Sequence, residues 1–460
     1  MLVPLIVACA MFMENMDATV IATSLPALAH DLGQNPITLK LAFTAYVVGL
    51  GIFIPICGWT ADRLGVRRVF SAAILVFMAG SICCALSSSL FGFVAARFLQ
   101  GMGGAMMVPV GRMVIFRAVP KAELIRAIGY LTVPALIGPV IGPPLGGFIT
   151  TYFQWRWIFL MNIPIGLIGL YLSLRYFENW REAQPDPLDF RGFALSSCGS
   201  ALLMLGLALV GSALLPGAWI LAMCLCGALL LAAYWRHARG ISRPLLNLRL
   251  LAIPSYRASV VGGSLFRIGL GALPFLLPLS LQVGMGRSAF TAGLVTCASS
   301  TGAVVMKALA APVLQRFGYR LILLYNALLC GAVIASYGLF SSSTPLWLMM
   351  AAVLVGGLFP SLQFTSLNTI VYADIEDAQV SSATSLASVV QQLSLGMGVT
   401  IAGVVLQLSI WWQGHARIET SDFWPAFLVI GLFSMASVFE TRRLPRNAGH
   451  SLTMAPANDA

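Results

Sequence analysis

Apolar residues run along this chain in blocks of roughly 20, one after another and divided by short polar turns. A block of that length crosses a hydrocarbon core about 30 Å thick as a helix rising about 1.5 Å per residue. The pattern predicts fourteen spans, at 2–29, 39–60, 69–87, 90–112, 124–150, 157–175, 190–211, 217–235, 256–283, 290–311, 319–340, 345–371, 380–409 and 422–440. No soluble domain fits between them, so the expected fold class is an all-α polytopic membrane protein. The first span has no basic n-region and no small-residue cleavage site, and further spans follow it, so it is expected to be a retained helix rather than a signal peptide.

Composition agrees with the pattern. Hydrophobic residues make up 59% and charged residues 9%, with a mean hydropathy of +0.89; a soluble domain carries about a quarter charged residues. The net charge of +11 does not point to nucleic acid, because the basic residues of a membrane protein sort by loop. With the N-terminus taken as cytoplasmic, only Lys40, Arg156, Arg287 and Arg417 fall in outward loops, and Arg97, Arg267 and Lys307 lie within spans. The other 20 of the 27 Lys and Arg fall on the inner side, among them Arg112, Arg117, Lys121, Arg126, Arg239, Arg243 and Arg249. The bias implies that both termini are cytoplasmic. All nine cysteines map to spans and the four histidines (His30, His237, His415, His450) to loops or the tail, so neither disulfides, nor a metal site, nor a histidine-based centre in the membrane is expected.

An internal repeat organises the spans. DRLGVRR from Asp62 and QRFGYRL from Gln315 align at an offset of 253, which carries Arg63, Gly65 and Arg67 onto Arg316, Gly318 and Arg320. The same offset carries Gly103 and Gly104 onto Gly356 and Gly357. The expected domains are an N-terminal six-helix bundle at 1–175, a linker with two extra spans and a basic loop at 176–255, a C-terminal six-helix bundle at 256–440, and a cytoplasmic tail at 441–460. Segment 176–191, with Glu178, Glu182, Asp186 and Asp189, is expected to be a solvated linker. The leucine-containing basic loop 236–257 either lies as a short helix on the anionic leaflet or is a plain loop obeying the charge bias.

Three stretches carry candidate chemistry. GWTADRLGVRRVF (58–70) sets Gly58 and Gly65 beside Asp62, Arg63, Arg67 and Arg68 at a hairpin between spans. The glycines allow a tight turn. Asp62 can accept from a helix N-terminus, and Asp374, Glu376 and Asp377 can pair with Arg63 or Arg67, which together would make a cytoplasmic gate latch. An ordinary positive-inside turn is the plainer reading. RFLQGMGGAMMVPVGR (97–112) puts Arg97 roughly 10 Å inside its span, where an ionisable group needs a partner or an aqueous cavity. Arg112 is near enough to the membrane face to snorkel. PALIGPVIGPPLGGFIT (134–150) repeats Gly138, Gly142 and Gly146 on one face, with Pro139, Pro143 and Gly147 among them. Such a helix lets a neighbour approach at backbone distance and is either pliable or merely kinked.

On these stretches, together with MDATVIATSLP (16–26) and WRWIFLMNIP (155–164), the chain resembles the fourteen-helix drug:proton antiporter branch of the major facilitator superfamily. Within it, the EmrB/QacA-like multidrug efflux proteins and their MdtD/HsrA-like subgroup are the nearest in pattern. The resemblance implies a major facilitator fold of two six-helix bundles plus two inserted helices. It also implies proton-coupled efflux of drugs or small amphipathic compounds across the inner (plasma) membrane by alternating access, with Asp17 and Arg97 tied to coupling and substrate recognition, 58–70 to the gate and 138–147 to the antiporter motif. Protons are then the coupling ion, with no other cofactor. The expected partners are a small-molecule substrate and the lipid bilayer, the expected state is a monomer, and no periplasmic adaptor is indicated. Glu14 departs from the family pattern, in which that position is usually uncharged and often Gln.

A carboxylate in low dielectric is pushed toward its neutral form by desolvation and toward its charged form by a nearby cation, so it can alternate between proton and substrate. Asp17 lies at a depth that overlaps Arg97, and Glu14, three residues earlier, points to nearly the same face. The repeat sets Arg267 opposite Glu14. Gln391 and Gln392 either bond substrate or join helices, Lys307 is either a snorkelling or a site residue, and Met11, Met13, Met16, Met106 and Met107 either line a pocket or pack. A channel and a membrane enzyme lack any filter, metal-ligand pair or nucleophile set here. A proton-coupled importer or exporter of one specific metabolite is the serious alternative, because no single residue encodes direction.

Overall fold

A computed structural model describes residues 2–118, 124–182, 187–211, 214–241, 244–376, 379–415, 417–445 and 448–449, without the side chains of 2, 116, 117, 124–136 and 381. The expectations attached to Lys121, Asp186, Arg243, Asp377, His450 and the end of the tail lie outside the described residues, and those attached to Arg117 and Arg126 concern side chains outside the description. Among the described residues the regular structure is helical throughout.

Thirteen helices among the described residues are long and apolar enough to span a membrane. They are α1 (Leu2–Asp31), α2 (Pro36–Leu64), α3 (Val66–Leu86), α4 (Leu90–Ala118), α6 (Trp157–Tyr176), α7 (Phe190–Leu209), α8 (Gly217–Gly240), α9 (Pro254–Gly284), α10 (Ala289–Phe317), α11 (Tyr319–Leu339), α12 (Leu346–Ile370), α13 (Val380–Gln413) and α14 (Thr420–Thr441). The helix α5 (Leu124–Tyr152) takes the place of the fifth predicted span. Contacts divide the chain into two compact units, Met1–Tyr234 with Arg287–Cys297, and Trp235–Gly286 with Ala298–Ala460.

In the first unit α1 packs along α5, α3 along α4, and α2 against both α4 and α7. The core between α1 and α4 is filled by Ile6, Val7, Phe70, Phe77, Met107 and Val110. Pro55 withholds a backbone N–H inside α2, and the helix passes there through a 3₁₀ turn at Ile54–Ile56. Buried Lys40 reaches across to donate from Nζ to the carbonyl of Val210 at 3.1 Å, capping the end of α7. The face of α8 that carries Trp219, Leu221, Leu225 and Leu229 is exposed on the protein, as a lipid-facing helix requires.

The linker after α6 departs from expectation. It is strapped onto the α2–α3 turn rather than solvated along its length: Val66 N donates to Trp180 O at 3.0 Å and Glu182 N to Asp62 O at 2.8 Å. Phe177 is buried, with its ring centroid 5.2 Å from that of Phe70. Its apolar residues Phe177 and Trp180 draw it in, a signal outweighed in the sequence by the surrounding acids.

In the second unit α9 packs on α13 and α14, and α11 on α12 and α14, around Phe266, Leu314, Leu323 and Ile370. The α9 helix opens into π-helical turns at Ala258–Gly262 and Ser280–Gly284; such turns recur at functional sites. Two leucines of the basic loop, Leu246 and Leu250, are buried in the protein beside a 3₁₀ turn at Leu248–Ala252, and Leu245, Leu248 and Leu251 are half-buried.

The register of 253 persists in the backbone. Gly65 has φ 95° and Gly318 φ 72°, each ending one helix and starting the next in a conformation that L residues rarely adopt. A Cβ on Gly65 would also run into the side chain of Asn179, whose Oδ1 accepts from Arg68 N at 3.3 Å. Gly65→Ala is therefore expected to cost about 1–2 kcal/mol, read as a lowered unfolding temperature of the purified protein; an unchanged midpoint would show that the strap is not fixed by this turn.

Candidate functional site

Five helices of the first unit converge on one carboxylate. Asp17, halfway along α1 and 1% exposed, accepts at Oδ2 from Arg97 Nη1 of α4 at 2.7 Å. Its Oδ1 accepts from Gln100 Nε2 at 2.8 Å and from Asn162 Nδ2 of α6 at 2.9 Å. Ser81 Oγ of α3 lies 2.8 Å from Gln100 Nε2 and 3.2 Å from Asn162 Nδ2. Arg97 also donates to Gln100 Oε1, and its guanidinium carbon sits 4.4 Å from the ring centroid of Tyr46 on α2 and 5.9 Å from that of Phe159. Arg97, Gln100, Asn162 and Ser81 are fully buried.

Desolvating two charges is expensive, and only close pairing with further hydrogen bonds makes the pair tolerable. Both conditions are met here. Even so, Glu14 Oε2, Tyr46 Oη, Arg97 Nε and Asn162 Oδ1 are buried without a partner among the described residues, so the cluster keeps unused donors and acceptors. Glu14 is half-buried one turn before Asp17. A Cβ placed on Gly104 would sit 3.1 Å from the Tyr46 hydroxyl and 3.6 Å from Glu14 Oε1. The glycine at 104 thus leaves open the space that Glu14 and Tyr46 share.

The glycine stripe of α5 positions α1. A Cβ on Gly138 would lie 3.2 Å from Met16 N, one on Gly142 would strike Thr19 Oγ1, and one on Gly146 would lie 2.5 Å from Val20 O and 2.7 Å from Thr23 Oγ1. Thr23 Oγ1 donates to Pro143 O at 3.4 Å, which supplies the proline-rich helix with a side-chain partner. On its other side α5 meets the first turns of α10: a Cβ on Gly147 would lie 2.8 Å from Phe290 Cα, and one on Gly293 3.0 Å from Pro144 Cα. Pro139 is half-buried.

The structure brings Asp17, Arg97 and Glu14 together. Gly58, Asp62, Arg63, Gly65, Arg67 and Arg68 sit around the α2–α3 turn, with Arg63 and Arg68 exposed, Arg67 and Asp62 half-buried, and Arg63 5.3 Å from the Trp59 ring centroid. Arg267 and Gln391 belong to the second unit: Arg267 is buried on α9 and Gln391 half-buried on α13. Arg112 and Lys307 are both exposed. Sequence reasoning does not single out Gln100, Asn162, Ser81 or Tyr46. Gln100 is three residues after Arg97, on the same face, and Asn162 interrupts an apolar run, so two of the four carry a signal; Ser81 and Tyr46 carry none.

The description "Major Facilitator Superfamily" belongs to a family model that matches residues 7–255 and 259–452. The chain belongs to this superfamily. It is a multi-pass membrane transporter and not an enzyme. A multidrug resistance protein MdtD of Serratia proteamaculans is 41% identical over 87% of this chain and 84% of its own length. One of the same name from Yersinia enterocolitica is 39% identical over 98% and 97%, so the chain lies in the MdtD-like subgroup. A POT family transporter in complex with a thioalcohol-conjugated peptide superposes with a TM-score of 0.71 at 14% identity, over 95% of this chain and 94% of that one. The nucleoside transporter NupG does so at 0.67 and 11%, over 96% and 99%. These two likenesses establish the shared fold.

Proposed function

We propose that this transporter exports drugs or small amphipathic compounds across the inner (plasma) membrane in exchange for protons, by alternating access, with both termini in the cytoplasm. The observation that carries the reading is the buried Asp17–Arg97 pair with its ring of Gln100, Asn162 and Ser81. A proton arriving at Asp17 cancels the charge that holds Arg97 and weakens the Nη1–H bond to Asp17, while the bond to Gln100 Oε1 stays available. Asp17 is joined to α3, α4 and α6 through these bonds and Arg97 borders α2, so a change of protonation alters how five helices hold one another. A substrate that competes for the same donors would then trade places with the proton. The names of the MdtD relatives support multidrug compounds as the substrate class. The glycine stripe of α5 supports export, by resemblance to the antiporter motif, and the 58–70 turn is assigned to the cytoplasmic gate.

Asp17→Asn keeps the shape and an acceptor for Arg97 but cannot exchange a proton at this site. Dye efflux from cells driven by a pH gradient is expected to fall about tenfold or more, with the residual efflux indifferent to pH; normal export with an unchanged pH dependence would remove Asp17 from the coupling role. Counterflow in proteoliposomes under an imposed gradient checks direction. Substrate and protons moving the same way would overturn the antiport reading.

A further inference from the structure

Two arginines lie buried in the described apolar helices, and the chain treats them differently. Arg97 has the carboxylate of Asp17 at 2.7 Å. Arg267, 2% exposed, has neutral partners: Nη1 donates to the carbonyl of Ser259 at 3.1 Å and Nη2 to Oδ1 of Asn368 at 3.0 Å, while the Phe364 ring centroid is 5.7 Å from its guanidinium carbon. Its Nε is buried with no partner among the described residues. A carboxyl group buried without a counter-ion can take up a proton, but an arginine keeps its charge in proteins. A buried guanidinium with no carboxylate partner among the described residues is retained against a standing cost.

The surroundings are built for the guanidinium. Its helix enters through the π-helical turn Ala258–Gly262, which contains Ser259. A Cβ at Gly263 would stand 2.6 Å from Nη1, so glycine is what leaves room for the head group. Phe266 and Leu367 are buried nearby on the same two helices, whereas Asn368 is exposed. The guanidinium therefore lies one residue beneath the surface of its unit. The edge of an arginine that grips a carboxylate side-on with two parallel hydrogen bonds is the Nε–Nη2 edge; here Nε is unused and Nη2 is held only by an exposed amide.

We infer that Arg267 is the binding residue for a carboxylate on the transported compound, a monoanionic head on an apolar body, which displaces the Asn368 amide oxygen and takes the Nε–Nη2 edge. A single carboxylate matches the single uncompensated charge, and the bordering Phe364 suits an apolar or aromatic body. The inference deepens the export reading above and rests on it for the word transported.

The test uses the full-length protein in lipid nanodiscs, with benzoate and benzamide as probes, which share a shape and differ in charge. Benzoate is expected to raise the unfolding temperature saturably and benzamide to leave it unchanged. Arg267→Gln is expected to weaken benzoate binding at least tenfold, and Arg267→Lys to retain part of it. Ligand-free Arg267→Gln is expected to unfold no earlier than wild type, because it removes a charge that has no counter-ion among the described residues. Equal binding of the two probes, or benzoate binding unchanged in Arg267→Gln with a lowered unfolding temperature, would overturn the site and leave Arg267 a structural residue. Binding is read without a gradient, so the two readings separate: benzoate bound through Arg267 by a chain that exports nothing would sink the export reading alone.

Discussion

Arg97→Ala is expected to impair folding and abolish transport together, whereas the neutral pair Asp17→Asn with Arg97→Gln is expected to fold and still fail to couple. The single truncation strands a carboxylate that is 1% exposed with only the amides of Gln100 and Asn162 as donors. Removing one partner of a buried pair costs about 3–5 kcal/mol, while replacing both by neutral groups of similar size is often close to neutral. Asp17→Asn alone should be milder than Arg97→Ala, because the substituted amide would keep an acceptor for the guanidinium, and Arg267 shows that this chain accommodates a buried arginine on neutral acceptors. The expected order of unfolding temperatures is wild type, double variant, Asp17→Asn, Arg97→Ala. With Arg97→Gln as the second single variant, which closes the cycle, the coupling energy is expected to be about 2 kcal/mol or more, at the upper end for residues in contact. Additive single effects would mean that the 2.7 Å contact contributes nothing specific. A double variant with normal pH-driven efflux would show that the pair serves folding alone.

Much of this architecture is legible in one sequence because the bilayer imposes it: a helix must be long, apolar and internally bonded, and among the described residues thirteen of the fourteen runs meet that rule. Asp17 and Arg97 stand out for the same reason, as charges where charge is costly. Their meeting does not, since it depends on how α1 and α4 are rotated about their axes, and the presence of apolar residues all round a membrane helix erases the stripe that would report rotation. The neutral members of the network are harder still. Ser81 and Tyr46 are ordinary residues in such helices, and only the fold reveals that one bridges two amides and the other lies under a guanidinium. The π-helical turns of α9 have no sequence mark, and so neither does the state of Arg267. The offset of 253 predicts Gly318 as the partner of Gly65, and the backbone agrees because a positive φ leaves few alternatives to glycine. The linker after α6 is misread from its acids, when two aromatic residues decide where it lies.

Gly146→Leu is expected to eliminate export with the charged pair chemically intact. The reason lies in how α1 is seated. A Cβ at position 146 would stand 2.5 Å from the backbone oxygen of Val20 and 2.9 Å from its Cγ1, and a backbone oxygen inside a helix cannot rotate away as a side chain can. Alanine is therefore expected to cost about 1–3 kcal/mol as overpacking, and leucine to force α1 off α5. Val20 is three residues from Asp17, within the same turn. A displacement of α1 by about an ångström there lengthens all three hydrogen bonds on Asp17, and misplacement of that size in a constellation is able to remove about a hundredfold of its activity. Gly217→Ala is the matched control, since a Cβ at the start of α8 meets nothing within 4 Å; it is expected to export normally. The measurement is dye efflux alongside the unfolding temperature for both variants. Gly146→Leu at wild-type efflux would mean that the α1–α5 seat does not set the position of Asp17, and the link from glycine spacing to coupling would fail at that step.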